Sequence, residues 1–195
     1  MQTTLSNPII VSEDDSPIGR LSIALDDGAL CALSIGDDHG SFARSIGRHG
    51  CVVGAPGTDV AAPVLDALAR YFDGDVTAVD DLDVRAIGSA FQRRVWAALR
   101  EIPVGTTASY VQIAREIGAP NASRAVGRAN ATNPVALVVP CHRVVRADGT
   151  LGGYAGGLER KRWLLEHERR HAGPPSEHAS RIASPGPIRD AGTRF

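Results

Sequence analysis

The sequence predicts an α/β region followed by a mainly helical region built around a winged helix-turn-helix. Three observations lead there. An alternating strand pattern with a hairpin turn marks the first part, helical periodicity dominates from residue 89 onward, and the charge changes sign between the two. Residues 1–85 carry five arginines against fourteen acidic residues, a balance of −9. Residues 86–168 carry eleven basic groups against six acids, +5, and residues 169–195 add five against two, +3. The overall charge of −1 conceals this asymmetry. A basic half beside an acidic one implies that the basic half faces a polyanion.

In the first region, Arg20 to Leu25 alternates, with Leu21, Ile23 and Leu25 on one face. Asp27-Gly28 signals a hairpin turn, and Cys31, Leu33 and Ile35 form the returning face. Residues 36–57 are Gly-rich and read as loop. Val64, Leu65, Leu68 and Phe72 fall at helical spacing in a helix over about 59–73, stopped by Gly74. The acidic stretch Asp73 to Asp83 reads as a connector. In the second region, Ser89 caps a helix holding Phe91, Val95, Leu99 and Ile102, closed by Pro103 and Gly105. A helix from about Ser109 to Ile117, the turn Gly118-Ala119-Pro120 and a helix from about Asn121 to Ala131 have the spacing of a helix-turn-helix. An apolar run, Val135 to Val139, leads to Pro-Cys-His-Arg-Val at 140–144. A hairpin at Asp148-Gly149 is the candidate wing, and a last helix covers about Leu158 to Arg169. The domains are therefore 1–85, 86–169 and a disordered tail, 170–195, without periodicity and rich in Pro, Ser, Gly and Arg.

Composition narrows the function classes. No apolar run approaches the ~20 residues of a membrane span, and the acidic Met1 to Pro17 lacks a secretion-signal pattern. With three cysteines, Cys31, Cys51 and Cys141, and no CxxC, neither a disulfide framework nor a zinc knuckle is expected. Cys51 near His49 lacks a second ligand pair, so no metal and no cofactor are expected. A reducing, cytoplasmic setting fits.

Cys141 is the candidate nucleophile. A histidine beside it and an arginine two residues on form an electropositive setting, expected to lower the thiol pKa. In an extended segment His142 points away from the sulfur, so a bridging water would carry the proton. On the last helix, Glu168 falls between Leu164 and Leu165 on the face that also holds Leu158, with Glu159 and Glu166 opposite and His167 off that face. A carboxylate there either reaches solvent at the helix end or pairs with His142, orienting the imidazole and raising its basicity. Arg124 and Arg128 share a helix face with Gly127 and Ala131. Small residues between cations suit close approach to a nucleic-acid groove by shape or from the minor groove. Tyr110 is either core or a phenol donor near the site. The run Gly152-Gly153-Tyr154-Ala155-Gly156-Gly157 reads as a loop whose amides approach a ligand.

From Gly88 to Glu168 the chain resembles the O6-alkylguanine-DNA alkyltransferases, the methylated-DNA–protein-cysteine methyltransferase family, in its stand-alone bacterial form. The resemblance rests on Phe91-Gln92 with Val95-Trp96, Ile102-Pro103 with Gly105, Ser109-Tyr110 and Arg124-Ala125-Val126-Gly127. It continues through Asn133-Pro134, Pro140-Cys141-His142-Arg143-Val144, Gly153-Tyr154 and Trp163-Leu164-Leu165. Residues 1–85 match only through the strand pattern and the helix near 59–73. The resemblance implies a ribonuclease-H-like α/β domain before a winged helix-turn-helix, acting as a monomer on double-stranded DNA that carries alkylated guanine. It implies a single-turnover repair enzyme that flips the base, moves a methyl or larger alkyl group from guanine O6 to Cys141, and inactivates itself; whether O4 of thymine is a second substrate stays open. His142 is then the base acting through water and Glu168 its orienting carboxylate. Tyr110 is the donor to the leaving guanine, and Arg124 the plug for the extruded base. Ser109, Ala125, Gly127 and Arg128 join Arg124 in the DNA-facing set. Asn133 braces the segment and Tyr154 walls the pocket. Carbonyls of Cys141 and Val144 with the amide of Ala155 read the guanine edge. Ala155 replaces a common hydroxyl residue and Ala136 a proline of some members, and the N-terminal Cys and His do not match the structural zinc site of some relatives.

The alternatives are a lesion binder without transfer, which would lack the nucleophile, and a plain winged-helix regulator, which would not need the Cys-His-Glu set. A cysteine hydrolase would need an oxyanion hole and a turnover route.

Overall fold

The computed structural model describes residues 9–36, 42, 53–54 and 58–173. Three antiparallel strands open it: β1 (Ile9–Asp14), β2 (Leu21–Asp26) and β3 (Ala29–Ile35). Asp27 and Gly28 join β2 to β3 with φ of +52° and +80°. Two positive values in succession make the tight turn whose twist matches its flanking strands, and Asp-Gly tolerates them. A two-residue strand, β4 (Val53–Gly54), runs parallel to β1 and completes the order β3-β2-β1-β4.

The sequence reading did not anticipate β1, and it took the stretch holding β4 for loop. Ile9-Ile10-Val11 is a continuous apolar run, which a search for alternation passes over. β4 is recruited by backbone pairing, which leaves no side-chain pattern. The alternation in β2 also understates its burial, because all six residues are covered. Asp26, on the face opposite Leu25, pairs through Oδ2 with Arg85 at 2.7 Å.

Helix α1 (Thr58–Phe72) buries Ala61, Val64, Ala67, Leu68 and Tyr71, and Gly74 follows it at φ +108°. The acidic connector then docks rather than dangles. Val76 and Val79 are buried, and Leu30 donates to the Asp83 carbonyl at 2.8 Å and accepts from Arg85 at 3.0 Å. Farther along β3, Leu33 donates to the Pro134 carbonyl at 2.8 Å and accepts from Ala136 at 3.0 Å. This pairing joins Pro134–Val138 to the first compact unit, which otherwise ends at Gly88. The second unit comprises Ser89–Asn133 and the chain from Val139 onward.

In the second unit, Ser89 caps α2 (Ala90–Arg100) in a reciprocal capping box with Gln92. Val95, Trp96, Ala98 and Leu99 form its buried face, and the Trp96 indole donates to the Ala129 carbonyl at 2.9 Å. After β5 (Ala108–Ser109), Ser109 and Gln112 repeat the capping box at the start of α3 (Tyr110–Glu116). Gly118 turns the chain at φ +70° toward α4 (Ser123–Ala131). α4 starts two residues later than expected because Ala122 first closes a turn onto Ala119 at 2.8 Å.

The apolar run ends in a 3-10 turn, Cys141–Arg143, followed by β6 (Val144–Val145), parallel to β5. At Asp148-Gly149 a tight turn forms, closed by Arg146 donating to Thr150 at 2.8 Å, and the Asp148 carboxylate accepts from the Thr150 amide and hydroxyl. Helix α5 (Leu158–His171) runs two residues past its expected end; the tail from 174 lies outside the described residues. Among the described residues no helix is long and apolar enough to cross a membrane.

Candidate active site

The segment before Cys141 folds into two very tight turns. Leu137 takes φ +72° while Val138 donates to the Ala136 carbonyl at 2.9 Å. At Pro140, with φ −79° and ψ 64°, Cys141 donates to Val139 at 2.7 Å. Both are three-residue turns, and the one at Leu137 is the strained form. Cys141–Arg143 is thus a 3-10 turn and not the extended segment expected. Cys141 is 5 % exposed. Asn133 braces this stretch from the side, its amide donating to the Val139 carbonyl at 2.8 Å and hydrogen-bonding the Cys141 sulfur.

Glu168 is 0 % exposed, so it does not reach solvent at the helix end. Its Oε1 lies 2.7 Å from His142 Nε2. Arg143 closes on both carboxylate oxygens, with Nε at 2.9 Å from Oε2 and Nη2 at 3.0 Å from Oε1. The Gly105 amide donates to Oε2 at 3.2 Å, and Arg143 Nη1 donates to the Ile102 carbonyl at 2.6 Å. Burial pushes the Glu168 carboxyl up, but Arg143 and His142 outweigh it and hold the group well below the usual carboxylate range.

These charges overturn one expectation. Burial raises the Cys141 thiol pKa, and the Asn133 hydrogen bond and the Lys161 charge recover only part of the shift. Arg143 cannot supply the expected electropositive setting because Glu168 consumes its charge. Burial likewise lowers the pKa of His142 against the pull of Glu168, leaving a neutral imidazole near neutral pH. With Nε2–H donated to an ionised carboxylate, the lone pair lies on Nδ1, which is buried and has no protein partner.

Tyr110, at the start of α3, packs between two glycines. A Cβ at Gly127 of α4 would lie 3.9 Å from its ring, and one at Gly152, already at φ +64°, would lie 3.2 Å from its hydroxyl. Burial and then the charge of Cys141 raise the phenol pKa, which puts Tyr110 within electrostatic reach of the sulfur. The buried Tyr154 hydroxyl is also raised by burial, and next by Cys141. Ala155 is exposed and Val144 buried.

On α4, Arg124 and Arg128 are exposed and Ala125 and Gly127 half-buried. Ser109 is buried, and both its hydroxyl and its amide are used in the cap of α3. On α5, Leu158 is 46 % exposed rather than part of the covered face. His167 is buried, stacked on Trp163 at 4.7 Å.

Three residues escaped the sequence reading. Arg143 was noticed only as a charge, not as the partner of Glu168. Asn130, buried on α4, donates to the Cys141 carbonyl at 3.4 Å. Lys161 is 0 % exposed, and its ammonium donates to the carbonyls of Val144 (2.6 Å) and Leu151. Lys161 was findable: it lies one turn before Leu164 and Leu165 and two turns before Glu168 on the same helix stripe. Among the described residues no group of three or more His, Cys, Asp and Glu is placed to hold a metal; Cys51 and His49 lie outside them.

Comparison with known proteins points one way. Residues 90–170 match the family described as 6-O-methylguanine DNA methyltransferase, DNA binding domain. A methylated-DNA–protein-cysteine methyltransferase of Mycolicibacterium paratuberculosis is 48% identical over 159 residues, covering 81% of this chain and 91% of that one. The crystal structure of the Mycobacterium tuberculosis O6-methylguanine methyltransferase superposes with a TM-score of 0.70 at 40% identity, covering 86% of this chain and 96% of the other. A structure of the same organism's protein in complex with DNA gives 0.67 at 41% identity, covering 82% and 92%.

Proposed function

This chain belongs to the methylated-DNA–protein-cysteine methyltransferase family, and from that premise we propose how its residues carry out the repair of alkylated guanine in DNA. The reaction moves the alkyl group from guanine O6 to a cysteine of the protein itself. The observation that carries the residue assignment is the buried array of Cys141, His142, Glu168 and Arg143 beside Tyr110.

Burial keeps Cys141 as a thiol at rest. Its proton passes through a water to Nδ1 of His142, the one ring atom left without a protein partner. The imidazolium so formed is steadied by Glu168, which Arg143 and Gly105 hold ionised and oriented. The thiolate attacks the alkyl carbon, forming the S–C bond as the C–O6 bond breaks and guanine leaves with the electron pair. Tyr110 donates a proton to the departing base, and the phenolate so formed is reprotonated by way of solvent with the proton held on His142, which returns to neutral. The product is a thioether, which water does not hydrolyse at useful rates. The protein therefore acts once.

The alkylated oxygen is inaccessible in a stacked duplex, so the nucleotide must rotate out. We assign Arg124 as the plug that fills the gap, with Arg128, Ala125, Gly127 and Ser109 along the DNA-facing side of α3 and α4. Tyr154 forms the pocket wall, while the carbonyls of Cys141 and Val144 and the amide of Ala155 read the base. O4 of alkylated thymine is a second substrate within the same chemistry. The α3–turn–α4 pair with the Asp148-Gly149 turn supports a winged helix-turn-helix over 86–169. The mixed sheet with α1 supports a ribonuclease-H-like domain over 1–85. We place the protein in the cytoplasm as a monomer.

The test is incubation with duplex DNA carrying methyl-labelled O6-methylguanine. One equivalent of label on Cys141, located by mass spectrometry, is expected. Tight binding without label would make the protein a silent lesion binder, and label released catalytically to solvent would make it a hydrolase; either result overturns the reading.

A further inference from the structure

At rest the buried charges of the site leave one cation without a counter-anion beside it. Glu168 is matched by Arg143, and His142 rests neutral. What remains is the ammonium of Lys161, fully buried, with only the carbonyls of Val144 and Leu151 as acceptors and no carboxylate within ion-pair distance among the described residues. A lysine in that position sheds its proton unless something favours the charge. Burial lowers Lys161 to about 8, so it stays mostly protonated at neutral pH. The titratable and charged groups that sense it are Cys141, His142 and the exposed Arg146. Of these, only the thiol becomes an anion.

The backbone ties this cation to the nucleophile. Lys161 Nζ donates to the Val144 carbonyl, and the Val144 amide donates to the carbonyl of Cys141 itself. Because Val144 and Leu151 stand on either side of the turn closed by Arg146 and Thr150, the lysine also cross-links the turn's two limbs.

On the alkyl-transfer reading above, we propose that Lys161 is a positioning residue whose ammonium, fixed on the Val144 and Leu151 carbonyls, is the counter-charge against which the Cys141 thiolate forms. When the thiol proton moves to His142 the net charge is unchanged but its placement improves: the sulfur anion faces Lys161, and the imidazolium shares Glu168 with Arg143. Alkylation removes the sulfur charge and returns Lys161 to its carbonyls alone.

Three variants separate charge from cross-linking: Lys161→Met has neither, Lys161→Gln can donate to the carbonyls without charge, and Lys161→Arg keeps both. The measurements are the pH profile of Cys141 alkylation by iodoacetamide, single-turnover transfer from methylguanine duplex DNA, and thermal melting to establish that each variant is folded. In K161M and K161Q the half-rise of the iodoacetamide profile should move up by about one pH unit. Transfer at pH 7 should fall about tenfold with it. K161R should stay within a few-fold of the parent. An unmoved half-rise in folded K161M and K161Q overturns the proposal. So does recovery of the parent profile in K161Q, which would leave Lys161 a cross-link only. If K161M fails to fold, K161Q and K161R sharing one profile overturns it equally. The iodoacetamide profile does not depend on DNA repair, so failure of the parent to accept label sinks the function and not this assignment.

Discussion

Glu168 shows how much one buried residue organises. It accepts from His142, Arg143 and Gly105, and each contact favours the ionised form. Its folded pKa is depressed from the ordinary 4.5, so its stabilising contribution is present above that value and is lost as pH falls toward the folded pKa. We therefore expect the parent to lose stability progressively below about pH 5. Glu168→Gln should be flatter in that range and, by leaving Arg143 buried without its partner, less stable at pH 7 by about 3–5 kcal/mol. Urea titrations at pH 4 and pH 7 check this, and parallel pH profiles for the two proteins would refute it. Sequence alone singled out Glu168 and His142, because a charge in an apolar stripe requires a partner. It could not choose Arg143 as the second partner, since adjacent residues of a 3-10 turn reach the same carboxylate only once that turn has replaced an extended strand.

At the scale of elements, the loop after α2 seals against the end of α5. Gly105 sits at φ +74°, and a Cβ there would lie 2.8 Å from that of Ala172. Gly105→Ala is expected to lower stability by about 1–3 kcal/mol through left-handed strain and this clash, and to slow transfer, because the amide aimed at Glu168 shifts. Ser89→Ala is the control, since it removes a cap worth about 1 kcal/mol and touches nothing in the site. Equal single-turnover rates for the two variants would show that the Gly105 contact does not matter to the chemistry. The Ser89 cap of α2 was legible from residue type and the Asp27-Gly28 turn as a dipeptide; the reciprocal contacts of Gln92 and Gln112 were not read. β4 and the Leu33–Val135 pairing were not, because a two-residue strand is held by partners distant in the chain.

For the molecule as a whole, the charge division between residues 1–85 and 86–168 is a statement about the partner. Arg124 is exposed on α4, where a basic side chain can enter a DNA gap without disturbing the core. Arg124→Ala should slow repair of methylguanine in duplex DNA by tenfold or more, about the 1–3 kcal/mol expected of one specific contact, while reaction with free benzylguanine stays within about twofold. Equal losses on both substrates would remove the plug role, since only the duplex reaction needs the base held out.

The sequence by itself singled out the candidate nucleophile, its candidate base, the Ser89 cap and the basic half, because these rest on local chemistry: residue type, spacing and turn propensity. Tertiary structure alone decided the protonation logic. The thiol sits high rather than low because burial outweighs its neighbours. Arg143 serves Glu168 and not the sulfur, and Lys161 is left as the unmatched cation. Desolvation depends on what covers a group, and a linear chain does not state what will cover it.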